Sequence, residues 1–402
     1  MKSLFLEFCL LACISLICVS CSESVKLAGN EFLIEGVISD VEDEVVICLY
    51  RMDGNTGSTM ATDTLRNGRF IFKGEAESNP ELLTVMPRGD GFPSMMLSVW
   101  VAPRTKVEIK GKGKLHPVWE VKSTIPFQKE ENLFTHNSRG ILAEMARIST
   151  EREELMQKMM ANPSGDEAPA YRKIIDSLSM ITRNSLSVKL TYIHIDIMEK
   201  TPVSPVWLDK MKGASGSLKT ASTDADYKDE LRKKVESLYS KMSEDDKSTP
   251  IGYEITANIF PPPIVGVGDY MADADFFDMD GNIKHLSDYS GKYLLLDFWS
   301  RGCGPCIAAL PEMREISETY RDNLIIISIS LDAEATWKEA MAKHDMPWIN
   351  IRDPKSMGGL AANYGVMGIP NYVMISPENV IIDKWMGFGT GYLQRKVSEN
   401  IK

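Results

Sequence analysis

The chain has 402 residues, more than one core usually organises, so two or three domains are expected. Its 44% hydrophobic and 25% charged residues are ordinary globular values and exclude a fibrous or intrinsically disordered protein. With 45 Lys and Arg against 56 Asp and Glu the net charge is −11, a poor match to phosphate backbones, so no nucleic-acid partner is expected.

Met1-Lys2 is a short basic start, and Leu4 to Val19 is an apolar run interrupted by Glu7, the pattern of an export signal. No later stretch is comparably long and apolar, which excludes a multi-span membrane protein. The junction Cys18-Val19-Ser20-Cys21 resembles the lipobox of bacterial lipoproteins, with Cys18 where such boxes usually carry Leu. That resemblance implies a signal peptide over residues 1–21, acylation of Cys21, and a body that works outside the cytoplasm. An ordinary cleaved signal peptide or an uncleaved anchor is the alternative.

Residues 22–125 read as an all-β module. Short runs such as EFLIEGVIS, EVVICLY, GRFIFKG, ELLTVMP, LSVWVAP and KVEIKG alternate with turn signals, among them Asp53-Gly54-Asn55 and Asn67-Gly68. Residues 126–260 switch to helical periodicity. Helices are predicted over Asn132–Met160 and Ala168–Lys200, separated by the breaker Asn162-Pro163-Ser164-Gly165, and near Ser204–Lys212 and Tyr227–Met242. Pro261-Pro262-Pro263 is a stiff hinge and marks a domain boundary.

Residues 261–402 alternate strands and helices. A hairpin turning at Asp280-Gly281 precedes a buried strand, Tyr293–Trp299, then a helix, then a second buried strand, Leu324–Leu331. Helices at Ala335–His344 and Ser356–Tyr364 precede strands at Asn371–Ile375 and Val380–Trp385. This order predicts an α/β fold with a largely parallel central sheet.

Four of the seven cysteines lie in the N-terminal apolar segment, leaving Cys48, Cys303 and Cys306 for the body. Three thiols do not make a disulfide scaffold. Cys48, in the run EVVICLY, reads as a buried strand residue, and the 23 methionines read as core filling. Cys303-Gly304-Pro305-Cys306 falls where a buried strand ends and a helix begins. Unpaired N–H groups and the helix dipole there stabilise a thiolate on Cys303, and Cys306, one turn on, can bridge back to it. A lone Cys-x-x-Cys could be half a zinc site, but the body after the N-terminal segment has no second pair, and His285 and His344 are isolated, so no metal is expected. Asp297 interrupts an apolar strand, and a buried carboxyl with a raised pKa could take the proton of Cys306; a satisfied strand-end polar residue is the alternative.

The stretch LLLDFWSRGCGPC resembles the thioredoxin superfamily, specifically its TlpA/ResA-like thiol–disulfide oxidoreductases. Pro311 falls five residues after Cys306, where thioredoxins kink the active-site helix. Val366-Met367-Gly368-Ile369-Pro370 is similar to the loop whose cis-proline faces the cysteines, and Asp297 matches the buried thioredoxin aspartate. The resemblance covers about the last third of the chain. It implies Cys303, Cys306, Asp297 and Pro370 as catalytic residues, with Trp299, Gly304, Pro305 and Ile369 beside the substrate. Its only cofactor would be the redox-active disulfide itself, and its partners would be protein disulfides and an upstream thiol donor. Residues 22–260 resemble the DUF4369-like region that precedes such domains in envelope lipoproteins of Bacteroidetes-type Gram-negative bacteria.

The family usually sets an aromatic residue before the first Cys. Here Gly302 stands there, which predicts wider access to Cys303, while Arg301 could either lower the Cys303 pKa or be a solvated charge. Gly-Pro between the cysteines resembles reducing thioredoxins, so a reductase is expected. An oxidant or isomerase, a thiol peroxidase, and a binding or assembly lipoprotein are the alternatives. Peroxidases of this kind set Thr or Ser three residues before the reactive Cys and Pro seven before it; here those positions are Ser300 and Leu296.

Overall fold

The computed structural model describes residues 27–53, 56–76, 80–220 and 225–401. The predicted signal peptide and Cys21 lie outside them, as does part of the predicted turn at 53–55.

Eight strands come first: β1 (Glu31–Ser39), β2 (Val46–Asp53), β3 (Thr56–Thr64), β4 (Arg69–Glu75), β5 (Glu81–Arg88), β6 (Leu97–Val101), β7 (Thr105–Lys112) and β8 (Glu120–Ser123). They form two four-stranded sheets, β4-β1-β7-β8 and β3-β2-β5-β6. Period-two alternation explains their packing. In β4, Phe70 and Phe72 are buried while Arg69, Ile71 and Lys73 face out. Both sheets turn such faces onto one core that includes Phe32, Ile34, Ile47, Leu49, Val85 and Val99. Asn67 and Gly68, at φ +50° and +69°, make the tight turn into β4. Cys48 is buried in β2, as its apolar neighbours predict.

Among the described residues seven helices follow: α1 (Pro126–Ala161), α2 (Ala168–Ile181), α3 (Ser187–Met198), α4 (Pro205–Thr220), α5 (Ala225–Tyr239), α6 (Glu244–Lys247) and α7 (Pro250–Ile259). A π-turn, Thr182–Leu186, joins α2 to α3, so the one helix predicted there is a rod with a widened turn. Helix α4 runs eight residues beyond its predicted end, because Trp207, Met211, Ala214 and Leu218 keep a buried stripe through the Gly-rich run. Helix α7 was not predicted; Pro250 occupies its first turn, and the Thr249 hydroxyl caps it by accepting from Gly252 N at 3.1 Å. Lys210 on α4 reaches Glu131 on α1 at 2.7 Å, a buried pair that ties these helices together.

The chain then runs through Pro261–Pro263 into β9 (Phe276–Phe277), β10 (Ile283–Lys284), β11 (Tyr293–Trp299), α8 (Gly304–Thr319), β12 (Leu324–Ser330), α9 (Glu334–Lys343), β13 (Ile349–Arg352), α10 (Leu360–Asn363), β14 (Asn371–Ile375), β15 (Ile381–Met386) and α11 (Tyr392–Asn400). The sheet order is β10-β9-β13-β12-β11-β14-β15. Only β11–β12 and β12–β13 are parallel; the remaining pairings are antiparallel, which corrects the expectation of a largely parallel sheet. Continuous apolar runs report burial on both faces, not strand direction. One face packs Leu295, Ile326 and Met374 against Ala309 and Met313 of α8 and Leu393 and Val397 of α11. The other packs Leu296, Phe298 and Ile327 against Phe276, Leu286 and Tyr364.

The helical region touches this domain through α7, which lies on the 3₁₀ turn Ser356–Gly358. A Cβ on Gly358 would sit 2.3 Å from the carbonyl carbon of Tyr253 and 2.5 Å from the Glu254 nitrogen. Backbone cannot swing aside as a side-chain tip can, so Gly358→Ala is expected to destabilise the protein by about 1–3 kcal/mol. A melting midpoint equal to wild type would show that the contact is not close in solution.

Candidate active site

Strand β11 delivers the chain to Ser300 at the end of its apolar run, and Cys303 is the N-cap of α8 with φ −84° and ψ +95°. Its Sγ accepts the backbone N–H of Cys306 at 3.2 Å. The sulfur therefore takes the place of a Ser or Asp cap, satisfying one of the donors that every helix start leaves open. Pro305 in the first turn has no N–H to leave unpaired. The two cysteines are joined as a disulfide with Cα atoms 5.2 Å apart.

Cys303 and Cys306 are only 7% and 4% exposed. The expected opening at Gly302 does not expose Cys303, because Trp299, Leu310, Trp337, Ala340 and Met346 close around both sulfurs. Position, not exposure, distinguishes the two cysteines: one caps the helix and the other lies inside its first turn. Gly304 and Pro305 form the exposed lip, and space for a Cβ on Gly304 is open. Trp299 is 1% exposed, so it backs the disulfide from within and does not present a surface to a substrate.

The Ile369–Pro370 peptide bond is cis. Ile369 packs against the cluster that holds both cysteines, and the Pro370 carbonyl accepts the N–H of Gly387 at 2.8 Å. The fold therefore gathers Trp299, Cys303, Cys306 and Ile369 in one packed cluster, with Gly304, Pro305 and Pro370 next to them in the chain. Arg301 is committed elsewhere. Its N–H donates to Asp332 Oδ2 at 2.7 Å and its guanidinium pairs with Glu339 at 2.5 Å, which favours the reading of a surface charge.

Asp297 is 4% exposed and shares a sheet face with Leu295, which packs on α8, and Trp299, which packs on the cysteines. Its carboxyl is thus placed on the α8 side of the sheet. Burial pushes its pKa up to about 7, against the opposing hydrogen bond that Ser328 Oγ donates at 2.8 Å. Trp348 Nε1 in turn donates to Ser328 Oγ at 2.9 Å. Sequence reasoning missed Ser328 and Trp348. Ser328 breaks the apolar run LIIISISL, a visible signal, but only the β11–β12 register, which sets Ser328 beside Asp297, gives it meaning.

Residues 267–385 match the AhpC/TSA family model. The thioredoxin-like protein YneN of Bacillus subtilis is 29% identical over 124 residues, which are 30% of this chain and 71% of that protein. The thiol-disulfide oxidoreductase ResA of Bacillus thuringiensis subsp. konkukian is 28% identical over 113 residues, 27% of this chain and 64% of that protein. Among solved structures, the thioredoxin domain of a thiol-disulfide oxidoreductase from Bacteroides vulgatus aligns at 26% identity, covering 34% of this chain and 99% of that one, with a TM-score of 0.31. The region that the family model matches lies wholly after Pro263. By its family model, its relatives and its cysteine pair, this C-terminal region is a thioredoxin-like domain of the AhpC/TSA family, of the thiol–disulfide oxidoreductase kind.

Proposed function

We propose that the protein is a membrane-tethered, extracytoplasmic reductase of protein disulfides, working through Cys303 and Cys306. The observation that carries this reading is the cap geometry, in which Cys303 Sγ accepts a helix N-terminal N–H, an arrangement that favours its thiolate. In the dithiol form, the Cys303 thiolate attacks a substrate disulfide. A Cys303–substrate bond forms, the substrate S–S bond breaks, and one substrate thiolate leaves. Cys306 then gives its proton to Asp297 and attacks Cys303, which releases the second substrate thiol and closes the disulfide of the present structure. Ile369 and Pro370 would flank the incoming peptide beside Gly304 and Pro305. An upstream dithiol donor would return the pair to the reduced state.

Insulin-type disulfide reduction under a thiol donor tests this. Wild type is expected to turn over and Cys303→Ser is not. Consumption of hydrogen peroxide without disulfide reduction would favour the peroxidase reading instead.

The tether is proposed from residues 4–21 alone. Among the described residues no helix is long and apolar enough to cross a membrane. Cys21→Ala is expected to move the protein from the membrane to the soluble fraction or to block processing. Fractionation with membranes at wild-type size would contradict acylation of Cys21. In this reading the two sheets built from β1–β8 are a DUF4369-like module.

A further inference from the structure

A cavity of about 310 Å³ opens among α1, α2, the π-turn, α3, α4 and Tyr227 of α5, in the helical region that the disulfide chemistry does not use. Arg152 from α1 and Arg183 from the π-turn both line it, with the hydroxyl-bearing Ser179, Thr182, Ser187 and Ser217. Among the described residues no carboxylate lines it, and no acidic side chain pairs with either guanidinium. The Arg152 Nε is buried without a hydrogen-bond acceptor. Two like charges facing one cavity repel, and a buried charged donor without an acceptor is costly. In a chain of net charge −11, acidic partners were plentiful, yet none of the described ones is placed here. The π-turn widens the backbone where Arg183 enters, a distortion that is itself frequent at functional sites.

We propose that this cavity binds a phosphate- or sulfate-type oxyanion, either free or as the headgroup of a larger molecule. Guanidinium groups offer paired N–H donors matched to such oxygens, and the anion would supply both the missing acceptor for Arg152 and the neutralising charge. Ser179, Thr182 and Ser217 already donate to the backbone carbonyls of Ile175, Leu178 and Gly213, so the arginines carry the recognition.

Titration calorimetry of the full chain with inorganic phosphate and with sulfate, at ionic strength matched by sodium chloride, tests the site. A parallel arm measures co-sedimentation with phosphatidylcholine vesicles with and without phosphatidic acid. Saturable binding of an inorganic anion assigns a free ligand, whereas binding only to phosphatidate-containing vesicles assigns a headgroup. In either case Arg152→Gln and Arg183→Gln should each weaken binding about tenfold or more, with disulfide reduction and helical circular dichroism unchanged. Arg183 is on the exposed side, so its variant carries the test if Arg152→Gln fails to fold. Absence of saturable binding in every arm, or wild-type binding by Arg183→Gln, overturns the proposal.

Discussion

Cys306→Ser is expected to accumulate mixed disulfides through Cys303, while Cys303→Ser traps almost none. Cys303 caps α8, where the helix dipole and the Cys306 N–H both favour its thiolate. Cys306 lies inside the first turn, behind the capping position, where burial disfavours its thiolate. Removing Cys306 leaves attack intact and removes release. Both variants should lose multiple-turnover disulfide reduction, on the order of 10³-fold or more, because the two sulfurs act as a unit. Adduct formation on non-reducing gels and alkylation rate against pH for each single variant provide the measurement. Both cysteines are nearly buried in the disulfide form, so the alkylation contrast rests on pKa and position. Adducts formed only through Cys306, or faster alkylation of Cys306 than of Cys303 in the matching variants, would reverse the roles.

Asp297→Asn should slow the resolving step by about 10²-fold or more while the protein gains stability at alkaline pH. The native carboxyl holds its proton up to about pH 7, whereas an ordinary aspartate releases it near 3.8. Between those values the native state binds more protons than the unfolded state, so rising pH destabilises the native state across this window. The stability that the buried neutral carboxyl allows is fully present below about pH 4 and is lost as pH passes 7. Asparagine has no such loss. At pH 8 the variant should therefore exceed wild type by on the order of 4 kcal/mol, with the difference closing toward pH 4. Denaturant unfolding at the two pH values measures it. A pH-independent difference, or unchanged single-turnover resolution from pH 6 to 9, would remove Asp297 from the mechanism.

The strands that bracket the site were legible because they are long, apolar and bounded. Tyr293–Trp299 and Asn371–Ile375 have the same limits in sequence and structure. The site residues Cys303, Cys306, Ile369 and Pro370 were legible because each sits in a local pattern that survives without tertiary information. Elements held mainly by tertiary packing were not. Strand β13 is four residues with only Ile351 fully buried, and α11 shows only Leu393 and Val397 as its buried stripe. Sheet direction and register were equally hidden, and with them the pairing of Asp297 with Ser328. The exposure of Cys303 was misjudged from Gly302, since Trp337, Ala340 and Met346, distant in sequence, join the local Trp299 and Leu310 around the cysteines. The oxyanion cavity left no local trace either, because Arg152, Arg183 and Ser217 meet only in three dimensions.

The reducing direction rests on Gly304-Pro305 between the cysteines and on the capped Cys303. Equilibration of the Cys303–Cys306 pair against defined dithiol/disulfide buffers gives its reduction potential directly. A value near that of thioredoxin, about −270 mV, is what a reductase requires; a value near that of a strong oxidant, about −120 mV, would contradict it.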